Sequence, residues 1–547
     1  MMRKILLPLL LTLFMLSCMD EVDVNIVEPA PGATFVTGEE VHVKVTSDVG
    51  PILINDEIIT GKNRAEVHLP PVDGLGFIKA SKLHDPLVSV RSYLQGAFTP
   101  ISEFNASTIK TRLGVDILNN NEVSFALLCA EMMEGEELVE YMDNPLQVET
   151  EIAFIPVTIT VTTQSVIAPS IEVTLYFVDD VLYFYSLLHD VVITYNAKAA
   201  GLDSSGQAYY EFMEVSGKVV LTPDDSDLVE MTASASEPDI TDDGGIPQAA
   251  FSPIIDALNE KVLEAIAGTT RNSSRVVFNT LMRTLVPQVV LEFTRPISQE
   301  TRVETLDVVP ENIFLSYGTL VQAIEPVFAK PHHGVLKRTH SDDDVEHGMT
   351  ITFGSPLVNQ IAFAIWDAGN TNNIVYSRNE LYELGMERLG GNYDKLRESE
   401  INLALPPILE WEADGPWLVM GGIEITMRMD GVADTKATTA GKVPVYFQQH
   451  GNAMMLMRDE TREVFFYDVG FDRMSGFVDY NKVIKLLQTA VPGVVSDLFS
   501  SFPIIKMTSS QLPMLNGDPG PQILTVLNGV ETRSNFWKMQ LSFQRLQ

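Results

Sequence analysis

The most regular hydrophobic pattern in the chain lies between residues 355 and 369. Leu357, Ile361 and Ile365 recur there at every fourth position, and few of the residues between them are strongly polar. Apolar residues at this spacing fall on one face of a helix. Because the apolar face covers more than half of the circumference, such a helix must be covered on more than one side. The pattern therefore predicts a buried helix, packed either in the core of a large domain or beside an apolar ligand.

Local signals mark both ends of this helix. Ser355 is predicted to cap the first free N–H groups, and Pro356 suits the first helical position, where no N–H is needed. Gly369 stands where a residue in the left-handed conformation would end the helix. The same pair of signals, Ser252-Pro253, opens another apolar stripe.

Three more helices are predicted from the same period. One begins at Ser252 and ends at Gly268, and another covers residues 274–285. The last covers residues 479–500 and is interrupted by Pro492-Gly493.

Long stretches between these helices alternate with a period of two. Val157, Ile159 and Val161, for example, alternate with three threonines. Strands of ten or more residues are long for a globular protein, and they predict a long, twisted antiparallel sheet with one apolar face. Residues 306–547 repeat the order of sheet, helix and short final strands. The strand segments predicted in the first half are residues 151–164, 171–185, 190–197, 208–221 and 227–235.

The N-terminal part has a different texture. Between residues 25 and 84, short alternating segments such as Val41-His42-Val43-Lys44-Val45 are separated by turn signals about every ten residues. This pattern predicts a small β-sandwich. The phrase Glu28-Pro29-Ala30-Pro31-Gly32, followed by the valine strand and Ile54-Asn55-Asp56, is similar to Ig-like modules of bacterial surface proteins, which act as spacers.

Length and charge limit the possible functions. The chain has 547 residues, too many for one core, so about two to four domains are expected. Lys and Arg total 37 whereas Asp and Glu total 73, which gives a formal charge of −36. So acidic a chain is unsuited to nucleic acid, whose phosphates need cationic side chains. It is equally unsuited to electrostatic docking on anionic lipid.

The first residues resemble an export signal. Arg3-Lys4 precedes an apolar run from Ile5 to Leu16, which is too short to span a bilayer and is typical of a signal peptide. A small residue before a cysteine at this place, Ser17-Cys18, resembles the bacterial lipoprotein signal. We therefore expect a lipid anchor on Cys18, a short acidic spacer over residues 19–24, and a place in the bacterial cell envelope, at the outer membrane. An ordinary signal peptide, in which Cys18 is incidental, is the alternative.

Cys129 is the other cysteine of the chain. It lies in an apolar run, residues 123–130, and is predicted to be buried and unreactive. With Cys18 acylated, no intramolecular disulfide can form, so the protein must be stabilised by its cores alone.

No local motif points to catalysis. The sequence lacks a Gly-x-Ser-x-Gly elbow, a His-Glu-x-x-His pair, a phosphate loop and a dinucleotide fingerprint. We therefore expect neither an enzyme nor a cofactor. Two polar clusters, residues 332–347 with four histidines and residues 239–245, hold residue types that bind Zn²⁺ or Ca²⁺. Neither has a known ligand spacing, so solvated segments are the simpler interpretation and no metal site is predicted.

The two best-marked stripes resemble a known family. Ser355–Gly369 reads small-x-Leu-x-Asn, then an apolar residue, Trp and Gly, and resembles the opening helix of the C-terminal barrel in the bactericidal/permeability-increasing protein family. That family belongs to the tubular lipid-binding superfamily. Phe251–Ile266 is similar to its long barrel helix. The resemblance covers residues 86–547 and implies a boomerang-shaped pair of barrels with apolar pockets that hold phospholipid tails.

Two features depart from the family. Its vertebrate members join two cysteines in the first barrel, where this chain has only Cys129. Its endotoxin-binding members present a basic tip, whereas this chain is strongly acidic. The resemblance therefore implies a lipid pocket without endotoxin binding.

The sequence thus predicts an α+β fold, in which a small Ig-like β-sandwich precedes two tubular lipid-binding barrels, each a long twisted antiparallel sheet wrapped around an amphipathic helix. Its predicted parts are a signal peptide with its anchor cysteine over 1–18, the sandwich over 25–85, and barrels over 86–303 and 304–547. We expect the protein to bind or carry a lipid or another apolar molecule; a structural or adhesive lipoprotein with filled barrels is the alternative. The predicted lipid-binding residues are Ile254, Leu258, Val262, Ile266, Leu281, Leu357, Ile361, Ile365, Trp366, Val483 and Leu487.

Overall fold

A computed structural model shows most of the chain. The described residues are 19–21, 24–48, 50–60, 63–83, 87–119, 123–134, 138–142, 144–152, 154–199, 201–244, 251–285, 295–327, 332–339, 348–383, 396–431, 434–475, 481, 484, 487, 503–507, 509–514 and 519–546. The architecture has the predicted α+β class, with long antiparallel sheets curled against helices. Within the described residues, no helix is long and apolar enough to cross a membrane.

The N-terminal part forms two small sheets that share one core. Alternating valines of strand Val41–Ser47 face Ile78 and Tyr93 of the other sheet in this core. One sheet holds Val24–Glu28, Val41–Ser47 and Arg64–Leu69; the other holds Thr34–Val36, Val88–Gly96, Gly74–Lys82, Ile52–Ile54 and Glu57–Thr60. Strand Val88–Gly96 pairs with Gly74–Lys82, so the sandwich continues past the predicted boundary at residue 85.

The first long sheet is built on one very long hairpin. Strands Val181–Ala199 and Leu202–Leu221 pair along nearly their whole length. The other strands of this sheet are Leu146–Ile152, Ile155–Ile167, Ser170–Val178, Ser226–Ala235 and Asp239–Asp242. Burial alternates along Val181–Ala199 with one shift of phase at His189-Asp190, so one face of the sheet is covered while the other is partly exposed.

A central sheet draws strands from both halves of the chain. Asn105–Gly114 pairs with Asn312–Ala323 on one side and with Met349–Gly354 on the other. The remaining strands are Ile297–Val309, Phe536–Leu546, Pro519–Thr532 and Ser509–Pro513. The predicted boundary between residues 303 and 304 therefore falls inside strand Ile297–Val309. Local hydrophobic pattern cannot show this, because the partners lie some two hundred residues apart in sequence.

The second long sheet holds most of the C-terminal half. Its strands are Ile374–Ser377, Leu396–Leu403, Ile408–Glu412, Gly415–Met429, Thr435–His450, Ala453–Arg458, Phe465–Phe466, Gly470–Ser475 and Pro503–Lys506, with Met19–Glu21 added at the edge. Met19–Glu21 pairs with the segment from Arg473 to Ser475. The predicted spacer at residues 19–24 is thus partly a strand of this sheet. Phe98–Thr99 and Val335–Leu336 form a separate two-stranded ladder.

Five α-helices and one 3₁₀ turn have both ends in the described residues, and residues 481, 484 and 487 are helical as well. The five helices and the turn are α1 (Val115–Asn119), α2 (Phe125–Glu134), the 3₁₀ turn Leu138–Tyr141, α3 (Phe251–Thr284), α4 (Ser355–Asp367) and α5 (Arg378–Glu383). The prediction of two helices over 252–285 was wrong, because α3 runs without interruption through Gly268. A glycine inside a helix costs only about 1 kcal/mol, which the packing of the flanking apolar turns outweighs. Most of the helix predicted over 479–500 lies outside the described residues.

The ends of α4 match the prediction in part. Gly354, not Ser355, occupies the N-cap position, and no side chain caps it. The Ser355 hydroxyl instead accepts a hydrogen bond from the Trp411 indole N–H at 3.1 Å. The hydroxyl predicted to cap the helix therefore forms a tertiary contact. Pro356 lies in the first turn, one position later than predicted. Gly369 follows the helix with φ +76°, which confirms it as the left-handed terminator.

Candidate lipid-binding site

The first half of α3 packs against the covered face of the first long sheet. Ile254, Leu258, Val262 and Ile266 all have no exposed surface and belong to one cluster with side chains of strands Val181–Ala199 and Leu202–Leu221. The four-residue spacing places these side chains on the side of the helix that meets the sheet. The predicted stripe is therefore the buried face of α3.

The second half of α3 belongs to a different cluster. Leu281 packs there with Phe278 and with residues of the central sheet. Phe278 also meets Phe125 of α2, with ring centroids 4.8 Å apart. The predicted residues of α3 are thus divided between two apolar regions, one in the first long sheet and one shared with the centre of the molecule.

A layer of small polar side chains separates these two regions. On α3 it contains Thr269 and Ser273, and on strand Val181–Ala199 it contains Ser186, which lies between Phe184 of one cluster and Leu188 of the other. These three hydroxyl-bearing residues have no exposed surface. Their oxygens have no hydrogen-bond partner among the described residues. Buried hydroxyls are normally paired, so this layer marks a place where a polar partner fits.

Two tyrosines extend the set of unpaired hydroxyls. Tyr195 and Tyr210 lie in the same cluster as the first half of α3, and neither has exposed surface. Neither phenol oxygen has a hydrogen-bond partner in the described part of the chain. Burial raises the pKa of Tyr210 to about 12, so the phenol keeps its proton and can donate a hydrogen bond at neutral pH.

Helix α4 is buried on every side. Every one of its residues is buried, and the helix lies between the central sheet and strand Ile408–Glu412 of the second sheet. Leu357, Ile361, Ile365 and Trp366 join Leu281 and Leu487 in the large central cluster. This confirms the prediction that the helix must be covered on more than one side.

Three polar side chains of α4, those of Asn359, Gln360 and Trp366, form hydrogen bonds within the protein. Gln360 donates to the Thr319 carbonyl oxygen at 2.9 Å and accepts from the Thr319 hydroxyl at 2.8 Å. Asn359 accepts from the Leu409 backbone N–H at 2.7 Å, and the Trp366 indole donates to the Leu403 carbonyl oxygen at 2.8 Å. These bonds fix α4 as a structural element, in contrast to the unpaired layer on α3.

The C-terminal end of α4 carries a titratable pair that sequence reasoning missed. His332 Nε2 lies 3.9 Å from Asp367 Oδ1, and both side chains are largely buried. The His332 ring packs against Phe363 and Trp366. Burial lowers the pKa of His332 and raises the pKa of Asp367, so both groups favour their neutral forms.

Ten of the eleven predicted lipid-binding residues lie in the described part of the chain. Val483, like the anchor residue Cys18, lies outside the described residues. The other ten have at most 3% of their surface exposed and pack against protein side chains. An acyl chain therefore reaches them only if packed side chains move apart.

The clusters considered for metal ions have other structural roles. Residues 340–347 lie outside the described residues, and His332 packs on α4. Asp239–Asp242 is a strand rather than a loop, and Asp243 accepts hydrogen bonds from the Ser204 hydroxyl and the Ser205 backbone. Within the described residues, no group of three His, Cys, Asp or Glu side chains is placed to bind a metal ion.

Two surface cavities lie away from the predicted residues. One, of about 560 Å³, is polar and follows the outer face of the second sheet between Arg397 and Lys436. The other, of about 240 Å³, lies between the turn at residues 222–225, the end of α3 and Leu306. None of the predicted lipid-binding residues lines either cavity.

The unpaired hydroxyls left a trace in the sequence that the apolar pattern does not use. Residues 269–274 read Thr-Thr-Arg-Asn-Ser-Ser, a polar gap between two apolar stripes. That gap suggested two separate helices, whereas it lies within one continuous helix and four of its six residues are buried. Ser186 and the two tyrosines give no such signal, because they occur in ordinary alternating strands.

Comparisons with known proteins complete the description. The sequence matches no protein-family model and no curated protein. Among solved structures, lipopolysaccharide binding protein is similar over 81% of this chain and 100% of that chain, with 10% identity and a TM-score of 0.42. P47 of Clostridium botulinum E1 is similar over 81% of this chain and 100% of its own, with 7% identity and a TM-score of 0.23. P47 from Clostridium botulinum A2 is similar over 80% of this chain and 97% of its own, with 9% identity and a TM-score of 0.22. Similarities at this level say nothing about ligand, activity or partner.

Proposed function

We propose that this protein binds a lipid or another apolar molecule with a polar group, between α3 and the first long sheet, and that it works at the bacterial cell envelope from a lipid anchor on Cys18. The proposed work is binding or carriage, without a covalent step. The observation that carries the proposal is the set of unpaired hydroxyls inside an apolar interior, on Ser186, Tyr210 and Thr269 among others.

In a sealed core, these unpaired hydroxyls would lower the free energy of unfolding. A buried hydroxyl without a partner costs about 1–3 kcal/mol. Within the described residues, six such hydroxyls occur on α3 and its facing sheet, on Thr163, Ser186, Tyr195, Tyr210, Thr269 and Ser273. An amphiphilic ligand would pair with them through its polar atoms, and its hydrocarbon would lie against the apolar clusters on either side.

A structural or adhesive surface protein with filled barrels is the second candidate. The observation that favours it is the near-complete burial of the helix stripes, because a filled interior needs no ligand. The hydrogen bonds that hold Asn359 and Gln360 of α4 favour it for the centre of the molecule. The two candidates therefore differ most sharply in the first long sheet.

Polar substitutions on the stripes separate the two candidates. Leu258→Asn places an amide in the interior of the first sheet, and Ile361→Asn places one in the central cluster. Ile78→Asn is the matched control, because Ile78 is equally buried but lies in the N-terminal sandwich. Lipid in the organic extract of each folded protein and its melting temperature are measured together.

The lipid-binding proposal predicts that Leu258→Asn lowers lipid per folded protein, whereas Ile78→Asn lowers only the melting temperature. The filled-barrel candidate is supported if all three variants lose stability and if neither the variants nor the wild type yield lipid.

A further inference from the structure

The hairpin formed by Leu146–Ile152 and Ile155–Ile167 extends beyond the rest of the first long sheet. Thr160 is the first residue of its second strand to pair with the neighbouring strand, opposite Lys198. That neighbouring strand turns back immediately afterwards, with Ala199 opposite Leu202. Residues 155–159 thus pair only with residues 148–152 of their own hairpin. The projecting part is roughly 16 Å long at the usual rise of a strand.

The two faces of this projecting hairpin differ in chemistry. On the face that continues the sheet's covered side, Ile159 is buried, Val157 is partly buried and Ile155 is 63% exposed. Phe154, at the turn, is 96% exposed. The apolar interior of the first sheet therefore continues outward along one face of the hairpin to its tip. The sequence carries no charged side chain from residue 152 to residue 157.

Phe154 has a backbone conformation that is unusual for an aromatic residue in a turn. Its φ is +67°, in the left-handed region that Gly and Asn adopt easily and that bulky side chains rarely adopt. An exposed aromatic ring at such a position does not stabilise the turn. We therefore expect the ring of Phe154 to contact something other than the described part of the chain.

We propose that this hairpin tip inserts into the apolar layer of a neutral lipid surface. A projecting tip without charge suits a lipid surface, since it offers apolar side chains but no recess for a protein side chain to fill. Two exposed carboxylates, Glu149 and Glu151, lie on the opposite face of the hairpin and disfavour an anionic surface. The same charges lie on an edge strand of the sheet, where they oppose pairing with the edge of a second copy.

A fluorescent label at the tip tests the proposal. Full-length protein carrying Cys18→Ala and Phe154→Cys is labelled with nitrobenzoxadiazole and mixed with phosphatidylcholine vesicles. Cys129 is buried and stays unlabelled. Ile58→Cys is the control position, because Ile58 is 64% exposed but lies in the N-terminal sandwich. Label at residue 154 should shift to shorter wavelength and be quenched by nitroxide lipids, whereas label at residue 58 should not change.

Replacing the tip separates insertion from folding. Phe154→Gly should reduce sedimentation with phosphatidylcholine vesicles by roughly tenfold or more, because the exposed ring supplies much of the apolar area. The same change should leave the melting temperature equal or higher, because glycine accepts the positive φ. Ile155→Ser should weaken sedimentation in the same direction, and Ile58→Ser should not.

Three results would overturn the proposal. The first is an unchanged emission at residue 154 in the presence of vesicles. The second is a shift that depends on protein concentration without lipid, which would assign the tip to a second copy. The third is stronger insertion into phosphatidylglycerol than into phosphatidylcholine. Lipid bound in the interior is measured separately by extraction, so failure at the tip and failure of the proposed function give different results.

Discussion

His332 Nε2 lies 3.9 Å from Asp367 Oδ1 at the end of α4, with aromatic rings on one side of the pair. The contributions of the two groups to folding stability change with pH in opposite directions. Burial lowers the pKa of His332, so its contribution to stability is present above the unfolded value of 6.5 and is lost as pH falls. Burial raises the pKa of Asp367, so its contribution is present below the unfolded value of 3.8 and is lost as pH rises.

Asp367→Asn should therefore make the protein more sensitive to acid. In the wild type, protonation of Asp367 offsets part of the loss caused by protonation of His332. Without the carboxyl group, only the His332 effect remains, so the melting temperature should fall more steeply on acidification from about pH 7 to about pH 4. Melting curves of both proteins in matched buffers measure this, and parallel pH profiles would contradict the assignment.

Tyr210→Phe tests whether the interior hydroxyls have a partner in the working protein. In a filled interior, removing an unpaired phenol oxygen should leave the melting temperature unchanged or raise it, because a desolvation cost disappears. With a ligand bound there, the variant should retain its fold and lose extractable lipid. Tyr185→Phe is the control, since the Tyr185 hydroxyl already donates to Glu214 at 2.9 Å.

Cys129 should not react with thiol reagents in the native protein. It lies in α2 with no exposed surface, and burial raises the pKa of its thiol far above the usual range. A Cys18→Ala protein should release no chromophore from Ellman's reagent until denaturant is added. A rapid native reaction would show that α2 opens. In the wild-type protein, a melting temperature that drops with reductant while the protein stays monomeric would reveal a disulfide.

Cys18→Ala should also change processing in the cell. If Cys18 carries the lipid anchor, this variant should accumulate as a precursor without acyl mass and should leave the detergent phase. Intact mass and detergent partitioning measure the two effects. Normal cleavage together with unchanged partitioning would support the ordinary signal peptide instead.

Local pattern predicted most of the secondary structure because each long element has a consistent period. The alternation within strand Ile155–Ile167 and the stripe of α3 both follow from burial of one face. The segment predicted over residues 171–185 was wrong, because it is divided by a turn between strands Ser170–Val178 and Val181–Ala199. Burial of Cys129 was also confirmed, because the side chain packs in the large central cluster. The small N-terminal sandwich followed from short valine strands and frequent turn signals.

The remaining features depend on contacts that no local window contains. The central sheet joins Asn105–Gly114 to strands from the second half of the chain, a pairing that the sequence analysis did not predict. Ser355 lost its capping role to a hydrogen bond with Trp411, which lies far along the sequence. The unpaired layer of α3 appears in the sequence only as a polar gap, which was interpreted as a break between two helices because polar residues in a helix usually face water.

Native mass spectrometry of the wild-type protein, purified without detergent, tests the central claim most directly. The account predicts a folded protein with excess mass that organic extraction removes, and an extract whose main component is an amphiphile in a near-constant ratio to protein. The excess should fall in Tyr210→Phe and persist in Tyr185→Phe. A wild-type protein with the mass of its covalent chain alone, stable and free of extractable lipid, would contradict the account and leave the filled-barrel structure.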